Sequence, residues 1–315
     1  MNWCVNCSYF YYILHILKLF VVPSIFKKNN AKYISIKIMK RKEYSWRACD
    51  GLGLFGQSWE PDEKPKAVIN IIHGFGEYSG RFSNWAKRFV DKGYAVFAID
   101  YRGHGKSEGK RGYIKNFSDL FNDVDVLLEN AKNEYSDIPH FLYGHSLGGN
   151  IVTNYYLERK PDIKKLIATS PWYSLAFKPS ALLMFFARIM YKFSPGMINK
   201  SNLDTNALSH DKEIVRLYNE DPLVHNKISL QLLFSTIHYG LKPLEEIDKL
   251  DIPMLLMHGS GDKITSFKAS KKLSEKDAKT NKLISFKEWP DMYHELHNEL
   301  INDKIFEYLI SWIEK

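Results

Sequence analysis

Ser146 stands in Gly144-His145-Ser146-Leu147-Gly148, a Gly-x-Ser-x-Gly run that closes an apolar stretch, Phe141-Leu142-Tyr143, and opens a helix-like segment from Asn150 to Arg159. A strand–turn–helix setting of this kind lifts a serine hydroxyl clear of a sheet. The glycines on either side remove Cβ atoms that would collide where strand meets helix. A serine hydroxyl is a weak nucleophile at neutral pH, so Ser146 needs a base to take its proton and an acid to orient that base. For an elbow of this type the acid and then the base come later in the chain, each after a late strand. Met254-Leu255-Leu256-Met257-His258 reads as such a strand, and the turn Gly259-Ser260-Gly261-Asp262 beyond it places Asp262 as the acid. Capping of the helix that begins at Phe267 is the competing role for that residue. Glu288 and Asp291 are later carboxylates, but both stand beyond the next strand, beside the histidines. Of the two histidines after Trp289-Pro290, His294 lies in the loop before the terminal helix and is placed as the base. His297 reads as a helix surface residue, and His258, within its strand, as a satisfied core histidine.

Ser146, His294 and Asp262 together would carry acyl transfer. Attack on an ester carbonyl gives a tetrahedral oxyanion, which needs two fixed N–H donors. One is the amide of Leu147, directly after the nucleophile. The other is the amide of Phe75 in His73-Gly74-Phe75-Gly76-Glu77, where flanking glycines let the backbone turn inward. His73 reads as a brace for that loop. A second glycine-rich loop, Tyr101-Arg102-Gly103-His104-Gly105-Lys106-Ser107, sits at the same end of the next strand. Arg102 and His104 read as bracing there, with substrate contact as the alternative. That loop contains no Gly-x-Gly-x-x-Gly phosphate pattern, so a nucleotide cofactor is not indicated.

These side chains need a scaffold. From about residue 65 short apolar runs alternate with amphipathic segments, the pattern of βα units in an α/β protein with a mostly parallel sheet. Candidate strands are Ala67–Ile72, Ala95–Ile99, His140–Tyr143, Lys165–Ala168, Met254–His258 and Leu283–Phe286. Candidate helices are Asn84–Lys92, Leu120–Tyr135, Asn150–Arg159, Phe267–Glu275 and Glu295–Ile313. Tyr44–Trp59, with Gly51, Gly53 and Gly56, reads as an antiparallel hairpin at the sheet edge. The alternation breaks between Pro171 and Leu244, where helices and loops are punctuated by Pro179, Pro195, Pro222 and Pro243. Within that insertion Ala181–Phe193 carries only Arg188 and Lys192 as charges. A helix so apolar all round either packs onto the core or forms a lid lining an acyl-chain pocket.

The expected organisation is a leader over 1–43, a core over 44–170 and 245–315, and a cap over 171–244. The net charge of +8 comes from the leader side: residues 1–47 hold nine Lys and Arg and one acid, Glu43, which leaves 35 basic and 35 acidic residues in the rest. A formally neutral body gives no reason to expect a nucleic-acid groove. Tyr9–Val22 is apolar but interrupted by His15 and Lys18, too short and too polar for a comfortable membrane span. Two readings of the leader stand side by side: contact with an anionic membrane surface, or translation that begins at Met39. A secretory signal fits less well, because a basic start and a small-residue cleavage site are lacking. The expected location is cytoplasmic, with peripheral membrane contact through leader and cap. Cys4, Cys7 and Cys49 make no disulfide framework, and Cys4-Val5-Asn6-Cys7 lacks the second pair that a metal site needs.

With these residues placed, the chain resembles the monoacylglycerol lipase and lysophospholipase branch of the α/β-hydrolase superfamily, the serine aminopeptidase-like hydrolases. The resemblance runs from about Tyr44 to the C-terminus. It rests on His73-Gly74-Phe75-Gly76-Glu77, Asp100-Tyr101-Arg102-Gly103-His104-Gly105, Gly144-His145-Ser146-Leu147-Gly148-Gly149, Gly261-Asp262, His294-Glu295 and, in the cap, Asp221-Pro222-Leu223-Val224-His225. It implies an eight-stranded sheet with helices on both faces and a mobile helical cap. It also implies hydrolysis of a monoacylglycerol or lysophospholipid ester without a cofactor or metal, and substrate contacts from Trp172, Phe185 and Tyr78. Many relatives have His where Tyr78 stands and Met where Leu147 stands. The first departure bears on headgroup contacts; the second matters little, since only the Leu147 backbone is used. A hydrolase-fold binding protein without catalysis is the reading from another class, and would require a broken triad.

Overall fold

The computed structural model describes residues 39–315. The expectations for Cys4, Cys7 and the Tyr9–Val22 stretch lie outside the described residues. A single sheet of eight strands organises the rest: β1 (Lys40–Arg47), β2 (Gly53–Glu60), β3 (Val68–Ile72), β4 (Ala95–Asp100), β5 (His140–His145), β6 (Lys165–Thr169), β9 (Met254–Gly259) and β10 (Ile284–Trp289). Their spatial order is β1-β2-β4-β3-β5-β6-β9-β10. β2 pairs antiparallel with both β1 and β4, and every other pairing in the sheet is parallel. The outward charges of β1, an exposed edge, discourage pairing with another chain. This edge corrects one boundary: residues 40–43, assigned to the leader, pair with Gln57–Glu60. Their charges hid the strand, because an edge strand with a solvated face needs little apolar alternation.

The period-2 alternation of the central strands builds two cores. Val68 and Ile72 of β3, Phe97 and Ile99 of β4 and Leu142 of β5 face one side. There they meet α2 (Ser118–Glu134) and α3 (Leu147–Arg159). Ile69, Ile71, Val96, Ala98, Phe141 and Tyr143 face the other. On that side α1 (Ser83–Asp91) contributes Trp85, Ala86, Phe89 and Val90, and α8 (Asn302–Ile313) contributes Ile305, Phe306 and Leu309. Being buried on both faces, β3, β4, β5 and β9 are near-continuous apolar runs, as a parallel sheet covered by helices requires. α7 (Phe267–Asp277) completes the first face, capped by Ser266, whose Oγ accepts from the Ala269 amide at 3.2 Å.

Between β6 and β9 lies the insertion. It contains α4 (Ala181–Phe193), β7 (Ile198–Lys200), α5 (Lys212–Glu220), β8 (Lys227–Ser229) and α6 (Leu230–Glu246). β7 and β8 form a three-residue antiparallel pair, too short for alternation to reveal. Pro243 does not end the last helix, which runs on to Glu246, beyond the expected limit at Leu244. A proline at 243 leaves the Tyr239 carbonyl without its helical donor, and Asn154 of α3 replaces it, donating Nδ2–H at 2.8 Å. The same contact seats α6 on the core.

Candidate active site

β5 passes into α3 through Ser146, whose φ of +54° and ψ of −119° place it in a conformation that side-chain-bearing residues avoid. The tightness of the turn is set by glycine. A Cβ on Gly144 would meet the Gly148 carbonyl oxygen at 2.3 Å, and one on Gly148 would meet the Ile72 carbonyl oxygen at 2.2 Å. The strained turn is held from outside: the Ser146 amide donates to the Thr169 carbonyl at 3.0 Å, and the Ser146 carbonyl accepts from the Trp172 amide at 2.9 Å. The hydroxyl therefore has one fixed direction, out of the carboxyl end of the sheet.

Two loops from the far half of the chain meet it there. His294 Nε2 lies 2.9 Å from Ser146 Oγ, and His294 Nδ1 lies 2.7 Å from Asp262 Oδ2. Asp262 does not cap α7, whose cap is Ser266; its Oδ1 accepts instead from the amides of Ile264 at 2.7 Å and Thr265 at 3.0 Å. Thr265 Oγ1 adds a contact to Oδ2 at 2.8 Å. Burial works against a charged Asp262, but the neighbouring His294 and His258 outweigh it and hold the carboxyl far below the usual carboxylate range. Burial likewise works to lower the pKa of His294. The charge and hydrogen bond of Asp262, followed by Glu295 and Glu77, outweigh it, and the net shift is upward from 6.5. Glu288 and Asp291 are both exposed and belong to no part of this chain of contacts.

The loop after β3 closes the other side of the hydroxyl. A Cβ on Gly74 would stand 3.0 Å from that of Ser146, so this backbone approaches the serine closely. The Gly74 amide donates to Glu77 Oε1 at 2.7 Å, and its carbonyl accepts from Tyr101 Oη at 2.8 Å and lies 2.8 Å from His73 Nδ1. His73 thus braces the loop as expected, stacked on Tyr101 at 4.1 Å. The amide of Phe75 donates to no protein acceptor among the described residues, and that of Leu147, the first helical residue, is one of the N–H groups a helix start leaves free. Arg102 is turned inward onto Asp123, with Nη2 2.8 Å from Oδ1, and His104 is buried beside it; neither borders the serine cavity.

Three charged groups had no role assigned from the sequence. Arg81 Nε donates to Glu77 at 3.1 Å and Arg81 Nη2 to Glu295 at 2.6 Å, all three side chains being buried. Burial and the charge of Glu295 push Glu77 upward, against the pull of Arg81. The triad ties the Gly74 loop to the His294 loop. Only the i,i+4 spacing of Glu77 and Arg81 was a local signal for it. His297 corrects another expectation. The terminal helix starts at Asn302 rather than Glu295, and a 3-10 turn over Leu296–Asn298 turns His297 inward, stacked on Phe82 at 4.5 Å. The i,i+4 pairs Leu296–Leu300 and Ile301–Ile305 imitate a continuous helix there.

Ser146 and His294 open into a cavity of about 830 Å³ bounded by Trp172, Leu183, Met184, Phe186, Met190, Leu208, Leu233 and Ile237. Of the three expected substrate contacts, Trp172 borders it. Phe185 does not: helical spacing aligns Leu183, Phe186, Ala187 and Met190 on the cavity face and leaves Phe185 60% exposed. Nor does Tyr78, whose hydroxyl donates to Asp221 at 2.7 Å and faces a separate groove with Leu217 and Pro222. α4 has no buried residue, so packing onto the core is not its role.

Residues 63–301 match the family model Hydrolase_4, described as Serine aminopeptidase, S33. The chain is 31% identical over 274 residues to a monoacylglycerol lipase of Mycolicibacterium smegmatis, covering 87% of this chain and 97% of that one. It is 34% identical over 261 residues, 82% of its length, to an uncharacterized abhydrolase domain-containing protein of Dictyostelium discoideum, of which it spans 27%. Among solved structures, a monoacylglycerol lipase of Paleococcus ferrophilus superposes with a TM-score of 0.72 at 27% identity, over 87% of this chain and 98% of that one.

Proposed function

The chain belongs to the Serine aminopeptidase, S33 family of α/β-hydrolases, in its monoacylglycerol lipase-like branch, and from that premise we propose that it hydrolyses the ester of a monoacylglycerol through an acyl-serine intermediate. The observation that carries the reading is the Ser146–His294–Asp262 relay opening into a large, mainly apolar cavity under α4. His294 takes the Ser146 proton as Oγ attacks the carbonyl carbon. Asp262 holds the Nδ1–H tautomer and stabilises the imidazolium, and the amides of Phe75 and Leu147 receive the oxyanion. The same imidazolium protonates the leaving glycerol oxygen. Water, deprotonated by His294, then releases the fatty acid and restores Ser146. The acyl chain occupies the cavity wall formed by α4.

Fatty acid release from monooleoylglycerol, measured beside release from lysophosphatidylcholine, tests the substrate class. Faster turnover of the glycerol ester supports the proposal, and exclusive turnover of the phospholipid assigns the chain to the lysophospholipase alternative.

The base also sets a pH dependence. A neutral His294 is required for attack, and its pKa is raised above 6.5, chiefly by Asp262 against the opposing effect of burial. The rate constant kcat/KM for a soluble ester is therefore expected to fall as pH drops through a value above 6.5, with its plateau on the alkaline side. A midpoint at or below 6.5 contradicts a carboxylate-paired base.

Among the described residues no helix is long and apolar enough to cross a membrane. α4 nonetheless presents apolar side chains outward, Leu182 at 66% and Phe193 at 82% exposure, with Arg188 and Lys192 on the same helix. An apolar face flanked by cations suits the surface of an anionic bilayer, where the lipid ester resides. Replacing Leu182 and Phe193 together by serine is expected to slow hydrolysis of vesicle-held monooleoylglycerol by about tenfold or more, from the lost burial of two large apolar side chains. Turnover of a soluble short-chain ester should stay unchanged, since neither residue borders the cavity. Equal loss on both substrates contradicts the surface role.

A further inference from the structure

His258 and Ser270 take part in no step described above, yet both are fully buried behind the acid. His258 lies on β9, four residues before Asp262, and its Nε2 stands 3.1 Å from Asp262 Oδ2, the oxygen that also receives His294 Nδ1. Its Nδ1 stands 2.8 Å from Ser270 Oγ on α7. An ionised carboxylate only accepts hydrogen bonds, so Nε2 of His258 carries the proton; in the neutral ring Nδ1 then accepts from the Ser270 hydroxyl. The ring is thereby fixed in one tautomer and aimed at one oxygen. Thr265 does not make this contact redundant. Its single hydroxyl proton faces two acceptors, Asp262 Oδ2 at 2.8 Å and the Ser170 carbonyl at 3.0 Å. His258 Nε2 also lies 3.4 Å from Thr265 Oγ1, a longer contact than the 3.1 Å to Asp262 Oδ2, so its N–H serves the carboxylate first.

We propose that His258, oriented by Ser270, is a positioning residue that holds Asp262 Oδ2 against His294 and shares its negative charge. The inference rests on the hydrolase reading above. By drawing charge from Oδ2, the His258 N–H makes Asp262 a weaker base, so the proton between Asp262 and His294 stays on imidazole Nδ1 and the imidazole keeps a pKa from which it still accepts the serine proton. Removing that donor leaves the carboxylate charge undivided, tightens its hold on protonated His294 and raises the pH at which the base becomes neutral. The other ionisable groups near His294 stay in place in such a variant: His145, with ring centres 4.8 Å apart, His297 behind it, Glu295 and Glu77 with Arg81 between them.

The side chains of Gln and Asn separate the two nitrogens. Gln carries its amide nitrogen at the same bond distance from Cβ as Nε2, and Asn as Nδ1. The test is kcat/KM against pH for a short p-nitrophenyl ester with wild type, His258→Gln, His258→Asn and Ser270→Ala. For His258→Asn the plateau is expected to drop about tenfold, the effect of one charge-assisted hydrogen bond, and the acid limb to move to higher pH. His258→Gln should restore both to near the wild-type values, and Ser270→Ala should move the limb in the same direction by a smaller amount. An unmoved limb in His258→Asn, or a limb displaced equally in His258→Gln, overturns the proposal. Should His258→Asn fail to fold, Ser270→Ala decides, and an unmoved limb there overturns it. A wild type that hydrolyses no ester fails at an earlier point, since it removes the hydrolase reading on which the inference stands.

Discussion

Replacing Ser146 by alanine is expected to lower the turnover of a short p-nitrophenyl ester by about 10⁴-fold or more, while the thermal unfolding transition stays close to wild type. The loss is large because no neighbouring group replaces the hydroxyl. Within the cavity His294 Nε2 would face only water, and direct attack by that water on an ester lacks the covalent step. The fold should survive because among the described residues Oγ makes a single protein hydrogen bond, to His294, and the turn is held by its backbone contacts to Thr169 and Trp172. Alanine at a φ of +54° keeps the strain that serine already carries and adds none. Turnover within tenfold of wild type would mean that another nucleophile serves the site.

Asp262→Asn carries the second-largest expected effect, a loss of about 10⁴-fold in kcat with binding largely retained. The reason lies in which oxygen is fixed. The amides of Ile264 and Thr265 both donate to Oδ1, so the carbonyl of an asparagine settles there and its NH2 takes the place of Oδ2. That NH2 donates to His294 Nδ1, moves the imidazole proton to Nε2 and leaves no acceptor for the Ser146 proton. It also meets the N–H of His258 donor to donor. Steady-state kinetics on the short ester checks this: a fall in kcat of less than about tenfold would show that Asp262 does not set the tautomer of His294.

Both variants act on residues that were legible from the chain alone, and for a common reason. Gly144, Ser146 and Gly148 encode the elbow within five residues, and Asp262 follows β9, an unbroken apolar run, while His294 follows the shorter apolar signal of Leu283–Phe286. Local chemistry and local pattern agree there. The central βα units are visible for the same reason, since burial on both faces of a parallel sheet writes itself into each strand; the antiparallel β1–β2 hairpin showed instead through Gly51, Gly53 and Gly56, and its first four residues were hidden by their charges. The misreadings arose where tertiary contacts override local pattern. The i,i+4 pairs Leu296–Leu300 and Ile301–Ile305 extend the helical spacing of α8 backwards, and only the stacking of His297 on Phe82 reveals that the segment turns inward. Pro243 sits inside α6 because Asn154, from another helix, supplies the missing donor. Phe185 and Phe186 are neighbours in sequence, and their different faces are decided by helical phase against a cavity no sequence displays. The Glu77–Arg81–Glu295 triad joins residues 214 positions apart, and beyond the i,i+4 spacing of Glu77 and Arg81 nothing local announced it.

Peptide mapping after reaction with a fluorophosphonate probe tests the central claim most directly. The probe phosphonylates a serine only where a neighbouring base removes its proton and N–H donors receive the developing charge. The expected result is one adduct, on the peptide that carries Ser146, absent after heat denaturation and absent in a His294→Ala variant. An adduct on another residue, or an unlabelled Ser146 in the folded protein, would contradict the account.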